Sequence, residues 1–236
     1  MSPAPGADPG RLEAGQVQAM FDRIAGVYDA MNGAMTVGLH HRWRARAADL
    51  AQIGPGSRVL DVATGTGDLA IELARRVGPE GEVVGSDFSE GMLQRARRKA
   101  PAIRFEHGDA LALAYQDGAF DAATVGFGVR NFCDLDRGLA EMARVVRPGG
   151  RVVVLEMTTP TKPPLSWFFR AWFDRAVPVL GRIVGDGDAY QYLPSSVQRF
   201  PGPRELGARL AGAGLIDVSW ILTAGGIIAL HSGTVP

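Results

Sequence analysis

Val59-Leu-Asp-Val-Ala-Thr-Gly-Thr-Gly-Asp-Leu-Ala70 is the stretch whose reading decides the fold. Arg58, Val59, Leu60 and Val62 favour an extended strand, after which Leu69, Ile71, Leu73 and Ala74 recur at helical spacing. Between them Gly65 and Gly67 permit a sharp turn that a ligand can approach with no Cβ in the way. The stretch reads as strand, tight turn, helix.

As a pattern, Gly65-Thr-Gly67-Asp-Leu-Ala70 satisfies the dinucleotide fingerprint, and Asp87 falls where a ribose-binding carboxylate is expected. A nicotinamide dehydrogenase therefore has to be weighed. Two carboxylates oppose it. Asp68 puts negative charge at the helix N-terminus, where a pyrophosphate would bind, and Asp61 at the strand end suits a cationic or hydrogen-donating group. S-adenosylmethionine has a ribose diol at one end and an ammonium and a sulfonium at the other, and it fits Asp61, Asp68 and Asp87 together. The plainer alternative is a glycine turn that only joins strand to helix.

Working outward, the 236 residues suffice for one α/β domain with additions, and a hydrophobic content of 46% is ordinary for a globular chain. Lys and Arg (25) balance Asp and Glu (25), so no global field favours nucleic acid. Cys133 is the only cysteine, which excludes an intrachain disulfide and a thiolate metal cluster. His40 and His41 lack acidic or cysteine partners at ligand spacing, so no metal is expected. No signal pattern opens the chain and no apolar run approaches the roughly 18 residues of a spanning helix. A cytoplasmic protein is the expectation, with peripheral contact at the inner face of a membrane compatible with it.

Residues 1–12, rich in Pro and Gly, read as a flexible tail ahead of a single domain over 13–236. Val17, Met20, Phe21, Ile24 and Val27 or Tyr28 predict an amphipathic helix stopping near Asn32-Gly33, and a second helix is expected from His40 to Ile53. Together 13–56 form a helical cap over or beside the sheet. Glu82–Asp87, Ile103–His107, Phe120–Val125 and Arg151–Met157 read as further strands. The helix capped by Ser89 directs Met92, Leu93 and Ala96 inward and Arg95, Arg97, Arg98 and Lys99 to water. A helix from Asp134 or Leu135 to Val146 precedes Pro148-Gly149-Gly150. Five alternating cycles mean a doubly wound, Rossmann-like parallel sheet, with Asp61, Asp87, Asp109 and Arg130 at its ligand-binding edge.

Residues 160–200 break this rhythm with Trp167, Phe168, Phe169, Trp172 and Phe173. They read either as a buried helix or as an aromatic lid for a long apolar substrate, with Arg170, Arg175 and Arg182 placed for lipid head groups. Glu205–Ala213 is a last helix. Leu215–Thr223 and Gly226–Ser232 complete seven strands as an antiparallel hairpin at the sheet edge.

With these residues assembled, the chain resembles the ubiquinone/menaquinone-biosynthesis C-methyltransferases, a family of the class I S-adenosylmethionine-dependent methyltransferases. The likeness runs through Phe21–Asn32, Leu60–Asp68, Gly126-Phe-Gly-Val-Arg-Asn131, Arg147-Pro-Gly-Gly150, Tyr190-Gln-Tyr-Leu193, Arg199-Phe-Pro201 and Gly226–His231. It implies methylation of a ring carbon of a prenylated hydroquinone, most simply demethylmenaquinol to menaquinol. The alternative is another small aromatic or natural-product acceptor. The resemblance implies cofactor contacts from Thr66, Asp87, Asp109 and Ala110, with Asp61, Gly65 and Gly67 shaping the pocket. It departs at Gly126, where the family often has serine. A homodimer is compatible with the resemblance.

For the acceptor side, Arg130 and Asn131 are the expected catalytic pair. Arg130 is read as an electrostatic stabiliser of a developing phenolate, because arginine is a poor proton acceptor. A loop salt bridge is its structural alternative. Tyr28, Tyr190 and His231 are candidate substrate-side donors or the base.

Overall fold

The computed structural model describes residues 14–26, 28, 29, 33, 36, 38–161, 163, 166, 167, 169 and 187–236. The expected tail, and most of the aromatic stretch between 170 and 186, lie outside the described residues.

Seven strands, β1 Arg58–Val62, β2 Glu82–Asp87, β3 Arg104–His107, β4 Phe120–Gly126, β5 Val146–Met157, β6 Ile216–Thr223 and β7 Ile228–Thr234, form one sheet in the order β3-β2-β1-β4-β5-β7-β6. Strands β1 to β5 pair in parallel, and β7 runs antiparallel to both β5 and β6. This is the doubly wound sheet expected, its last strand reversed. The strand order turns back between β1 and β4, so a crevice opens above the C-terminal ends of those two strands.

The helices are α1 Ala14–Ile24, α2 Leu39–Leu50, α3 Asp68–Val77, α4 Glu90–Lys99, α5 Leu135–Arg144, α6 Gly187–Arg199 and α7 Pro203–Gly212. Alternate residues of β1 go to opposite faces. Val59 packs with Leu69, Leu73 and Leu93 on the α2–α4 side, and Leu60 and Val62 pack with Leu139, Met142 and Leu210 on the α5 and α7 side.

Helix α3 begins at Gly67, which offers no side-chain cap. Buried Leu69, Leu73 and Val77 hold it instead. At about 1.5–3 kcal/mol per buried side chain, they outweigh the roughly 1 kcal/mol that a cap supplies. The helix N-terminus is thus left open toward the crevice.

The structure moves several boundaries. α5 ends at Arg144 rather than Val146, because Val146 already pairs with Phe120 at the start of β5, and the register shifts past Pro148-Gly149-Gly150 before Ala122 meets Arg151. α7 starts two residues early because Pro203 suits the first helical turn. α1 closes at Ile24, short of Asn32, and α2 at Leu50, short of Ile53. Lys99 does not face water alone: its ammonium meets Asp29 Oδ2 at 2.7 Å and Asp68 Oδ1 at 2.5 Å.

The two turn glycines do different work. Gly65 (φ +57°) has open space where a Cβ would stand, whereas a Cβ on Gly67 (φ +84°) would sit 2.8 Å from the Phe105 ring and 3.2 Å from Ala96 Cβ. Gly67→Ala should therefore cost about 2–4 kcal/mol, from backbone strain plus overpacking. Gly149→Ala (φ +79°, open space) should cost only about 1 kcal/mol. Denaturant unfolding of both variants checks this difference.

Candidate active site

The crevice is a cleft of about 1000 Å³, its open mouth included. Its floor comes from the ends of β1 and β4 and the turns after them, through Asp61, Ala63–Thr66 and Gly126–Gly128. One wall is Asp87, the last residue of β2, with Asp109 and Ala110 after β3. The other is Arg44, Asp68 and Phe127, and Phe21, Tyr28, Phe132 and Cys133 add an apolar rim. Ala63 (φ +50°) and Phe127 (φ +62°) both hold left-handed backbone at these strand ends. For a bulky residue such as Phe127 this is real strain of the kind that gathers at functional sites.

Asp87 organises the turn. Its Oδ2 accepts the Gly65 amide at 2.7 Å and its Oδ1 the Ser89 amide at 2.9 Å. Burial pushes its carboxyl up to about 6, against the lowering effect of these amides. Asp61 is also pushed up to about 6 by burial, although Thr64 Oγ1 and Thr124 Oγ1 donate to it at 2.7 and 2.8 Å. Both groups would hold their charge more readily beside a bound cation or hydroxyl donor.

Thr66 donates from Oγ1 to Asp29 Oδ1 at 2.5 Å, and Asp109 Oδ1 accepts the Leu111 amide at 2.9 Å. Asp61, Gly65, Thr66, Asp87, Asp109 and Ala110 thus come together around one cleft. Gly67 is not among its lining residues and faces the Phe105 ring.

Asp68 is paired where the sequence suggested a free anion. Its carboxylate is not a bare anion at the helix end, because Arg44 Nη1 lies 3.3 Å and Lys99 Nζ 2.5 Å away. Burial alone would raise its pKa, but these cations hold it below the usual carboxylate range. Asp68 therefore closes an ion network across α2, α3 and α4 and cannot by itself repel phosphate.

On the acceptor side, Asn131 lines the cleft and its Oδ1 accepts from Tyr192 Oη at 3.1 Å, which ties α6 to the turn after β4. Arg130 stands behind this turn. Its Nη1 donates to Glu156 Oε1 at 2.6 Å and to the Phe127 carbonyl at 2.7 Å, while its Nε is buried with no hydrogen-bond partner among the described residues. Burial disfavours the Arg130 charge, but Glu156 outweighs it and keeps the guanidinium protonated.

Tyr190 lies in α6 with its side chain outside the described residues. His231 is on β7, stacked on Trp220, with Nε2 2.8 Å from the Pro203 carbonyl, and burial lowers its pKa. It does not line the cleft.

Arg44, Asp29, Lys99, Glu156 and Tyr192 escaped the sequence reading as site residues. Glu156 carried one usable signal, an acid ending the apolar run Val152–Leu155. The others gain meaning only from pairings across distant parts of the chain.

A parallel sheet with a glycine turn and buried carboxylates at its switch point defines a nucleoside-binding α/β enzyme. The ubiE/COQ5 methyltransferase family matches residues 10–235. A demethylmenaquinone methyltransferase of Thermus thermophilus is 48% identical over 92% of this chain and 100% of its own length. A ubiquinone/menaquinone biosynthesis C-methyltransferase of Geobacter sulfurreducens is 40% identical over 92% and 88%. Among solved structures, the [4+2]-cyclase SpnF shares the fold with a TM-score of 0.69 at 19% identity, covering 94% of this chain and 95% of its own. A SAM-dependent methyltransferase from Aquifex aeolicus gives 0.56 at 19%, covering 78% and 84%. The chain belongs to the ubiE/COQ5 methyltransferase family. It is an S-adenosylmethionine-dependent methyltransferase.

Two outcomes follow from the buried charges. In an unfolded chain Asp61 titrates near 3.8, so its contribution favours the fold below about pH 4 and is lost as pH rises through about 6. The unfolding free energies of wild type and Asp61→Asn should therefore diverge in the variant's favour between pH 4 and pH 7. Arg130→Ala leaves buried Glu156 unpaired and should cost about 3–5 kcal/mol, whereas Arg130→Met combined with Glu156→Gln should recover most of that loss. Equilibrium unfolding measures both.

Proposed function

We propose that the protein transfers a methyl group from S-adenosylmethionine to a ring carbon of a prenylated hydroquinone, most simply converting demethylmenaquinol to menaquinol. The observation that carries this reading is the 48% identity, across the whole length of a demethylmenaquinone methyltransferase, of a chain whose cleft is acidic at its floor and aromatic at its rim. When bound, the donor supplies an electrophilic methyl group on a positively charged sulfur.

The chain's own residues then have three tasks. Asp87 offers its carboxylate to a ribose diol, and Asp109 and Ala110 flank the base. Asp61, at the floor, faces the cationic end. Phe21, Tyr28, Phe127 and Phe132 exclude water and hold a flat ring against the donor; the transfer consumes charge and is favoured by low polarity.

The ring carbon becomes nucleophilic when its neighbouring hydroxyl loses a proton; the carbon takes the methyl group as S-adenosylhomocysteine leaves, then sheds its hydrogen as a proton while the ring oxygen regains one, so that one proton is released overall. Asn131, which lines the cleft, stabilises the oxyanion, the Arg130 guanidinium adds its charge from behind the same turn, and Tyr190 or its neighbour Tyr192, from the 160–200 insert, is the further candidate donor, with water or another residue as base. Arg130 shares its charge with Glu156, so its effect is that of a hydrogen-bond donor more than of a full positive charge. A prenyl tail would keep the reaction at a membrane surface. Among the described residues no helix is long and apolar enough to cross a membrane, and Trp167, strongly exposed at the start of the insert, supports a peripheral contact there.

The test incubates purified protein with methyl-labelled S-adenosylmethionine and reduced demethylmenaquinone. Label on the ring carbon is expected. Label on oxygen, or transfer only to unrelated aromatic acceptors, would defeat the quinol reading. Asp87→Ala should weaken S-adenosylhomocysteine binding about 10- to 100-fold by calorimetry, the loss of charge-assisted hydrogen bonds.

A further inference from the structure

The donor assigned above ends in a zwitterion, with an α-carboxylate beside its ammonium and sulfonium. Asp61 meets the cations, but the carboxylate needs a positive partner of its own. Among the described residues lining the cleft, Arg44 carries the one cationic side chain.

Its setting is specific. Arg44 projects from α2 with its side chain 8% exposed, and its guanidinium carbon stands 5.9 Å over the Phe127 ring. Nη1 is buried without a hydrogen-bond acceptor among the described residues; Asp68 Oδ2, at 3.3 Å, pairs with it in charge but not in hydrogen-bond geometry. Lys99 also serves Asp68, at 2.5 Å, so the carboxylate does not depend on Arg44 alone. A buried, unsatisfied guanidinium N–H is costly unless a ligand completes it.

Topology puts this group at the correct end. Asp87, for ribose, ends β2 and Asp109, for the base, follows β3, whereas Phe127 follows β4 across β1 from them. A nucleoside lying along these strand ends brings its amino-acid arm to the β4 side. The open N-terminus of α3 adds its positive dipole end to that side.

We propose that Arg44 anchors the α-carboxylate of the donor's methionyl arm, acting as a positioning residue that fixes the sulfonium against the acceptor ring. This rests on the S-adenosylmethionine reading above. The test compares two ligands, S-adenosylhomocysteine and 5′-methylthioadenosine, which lacks the amino-acid arm, by calorimetry on wild type, Arg44→Met and Arg44→Lys.

Arg44→Met should bind S-adenosylhomocysteine about 10- to 100-fold more weakly while binding methylthioadenosine within about twofold of wild type, and Arg44→Lys should recover part of the loss. Arg44→Gln, which keeps a donor and some of the packing on Phe127, replaces the methionine variant if thermal unfolding shows the latter misfolded. Equal weakening of both ligands would make Arg44 a structural support and overturn the proposal, as would unchanged S-adenosylhomocysteine affinity. Wild type that binds neither ligand would instead overturn the donor reading itself.

Discussion

The hydrogen bond from the Gly65 amide to Asp87 Oδ2, 2.7 Å long, is the constraint on which the site depends. It ties the turn after β1 to the end of β2. The same carboxylate reaches the Ser89 amide through its other oxygen, so one side chain fixes two loops. Burial makes this carboxylate expensive to ionise and pushes its pKa up to about 6, although the amides it accepts favour the charged form. The fold accepts that cost where a ligand hydroxyl can share the charge. The strained backbone at Ala63 and Phe127 lies at the ends of β1 and β4, the central pair of the same edge.

Around this edge, charge is arranged so that few groups stand alone. Asp68, Lys99, Asp29 and Arg44 neutralise one another across three helices, and Arg130 with Glu156 forms a second, almost wholly buried pair. Such pairs contribute little net stability, since desolvation consumes most of their attraction, but losing one partner is costly. Their effect here is positional. The first pins the N-terminal helices to the glycine turn, and the second pins the Gly126–Asn131 turn to β5. The cleft between them can then hold a charged donor and an apolar ring at a fixed separation, the requirement of an in-line methyl transfer.

The sequence by itself determined the layer architecture, because that depends on local periodicity. β1 to β5 are short apolar runs punctuated by glycine, and each intervening helix carries its own apolar face. The reversed β7 followed from a hairpin signal at Ala224-Gly225. That Asp61, Asp87 and Asp109 share one cleft was legible for the same reason, since strand ends meet at one edge of a parallel sheet, whereas Thr66 and Ala110 were expected from the resemblance and Arg130, expected at the same edge, stands behind the turn.

Tertiary structure alone decided the pairings. Nothing local distinguishes Lys99 from Arg97 or Arg98 on the same basic helix, yet only Lys99 points back to Asp68 and Asp29. Gly65 and Gly67 look alike in sequence, yet one opens to the cleft and the other is filled by Phe105. The end of α5 and the start of β5 shifted because Val146 found Phe120 across the sheet, a contact no propensity encodes. Arg44 acquired a role only when α2 folded over the turn. Periodicity is a property of neighbours along the chain, whereas charge pairing and close approach are properties of neighbours in space.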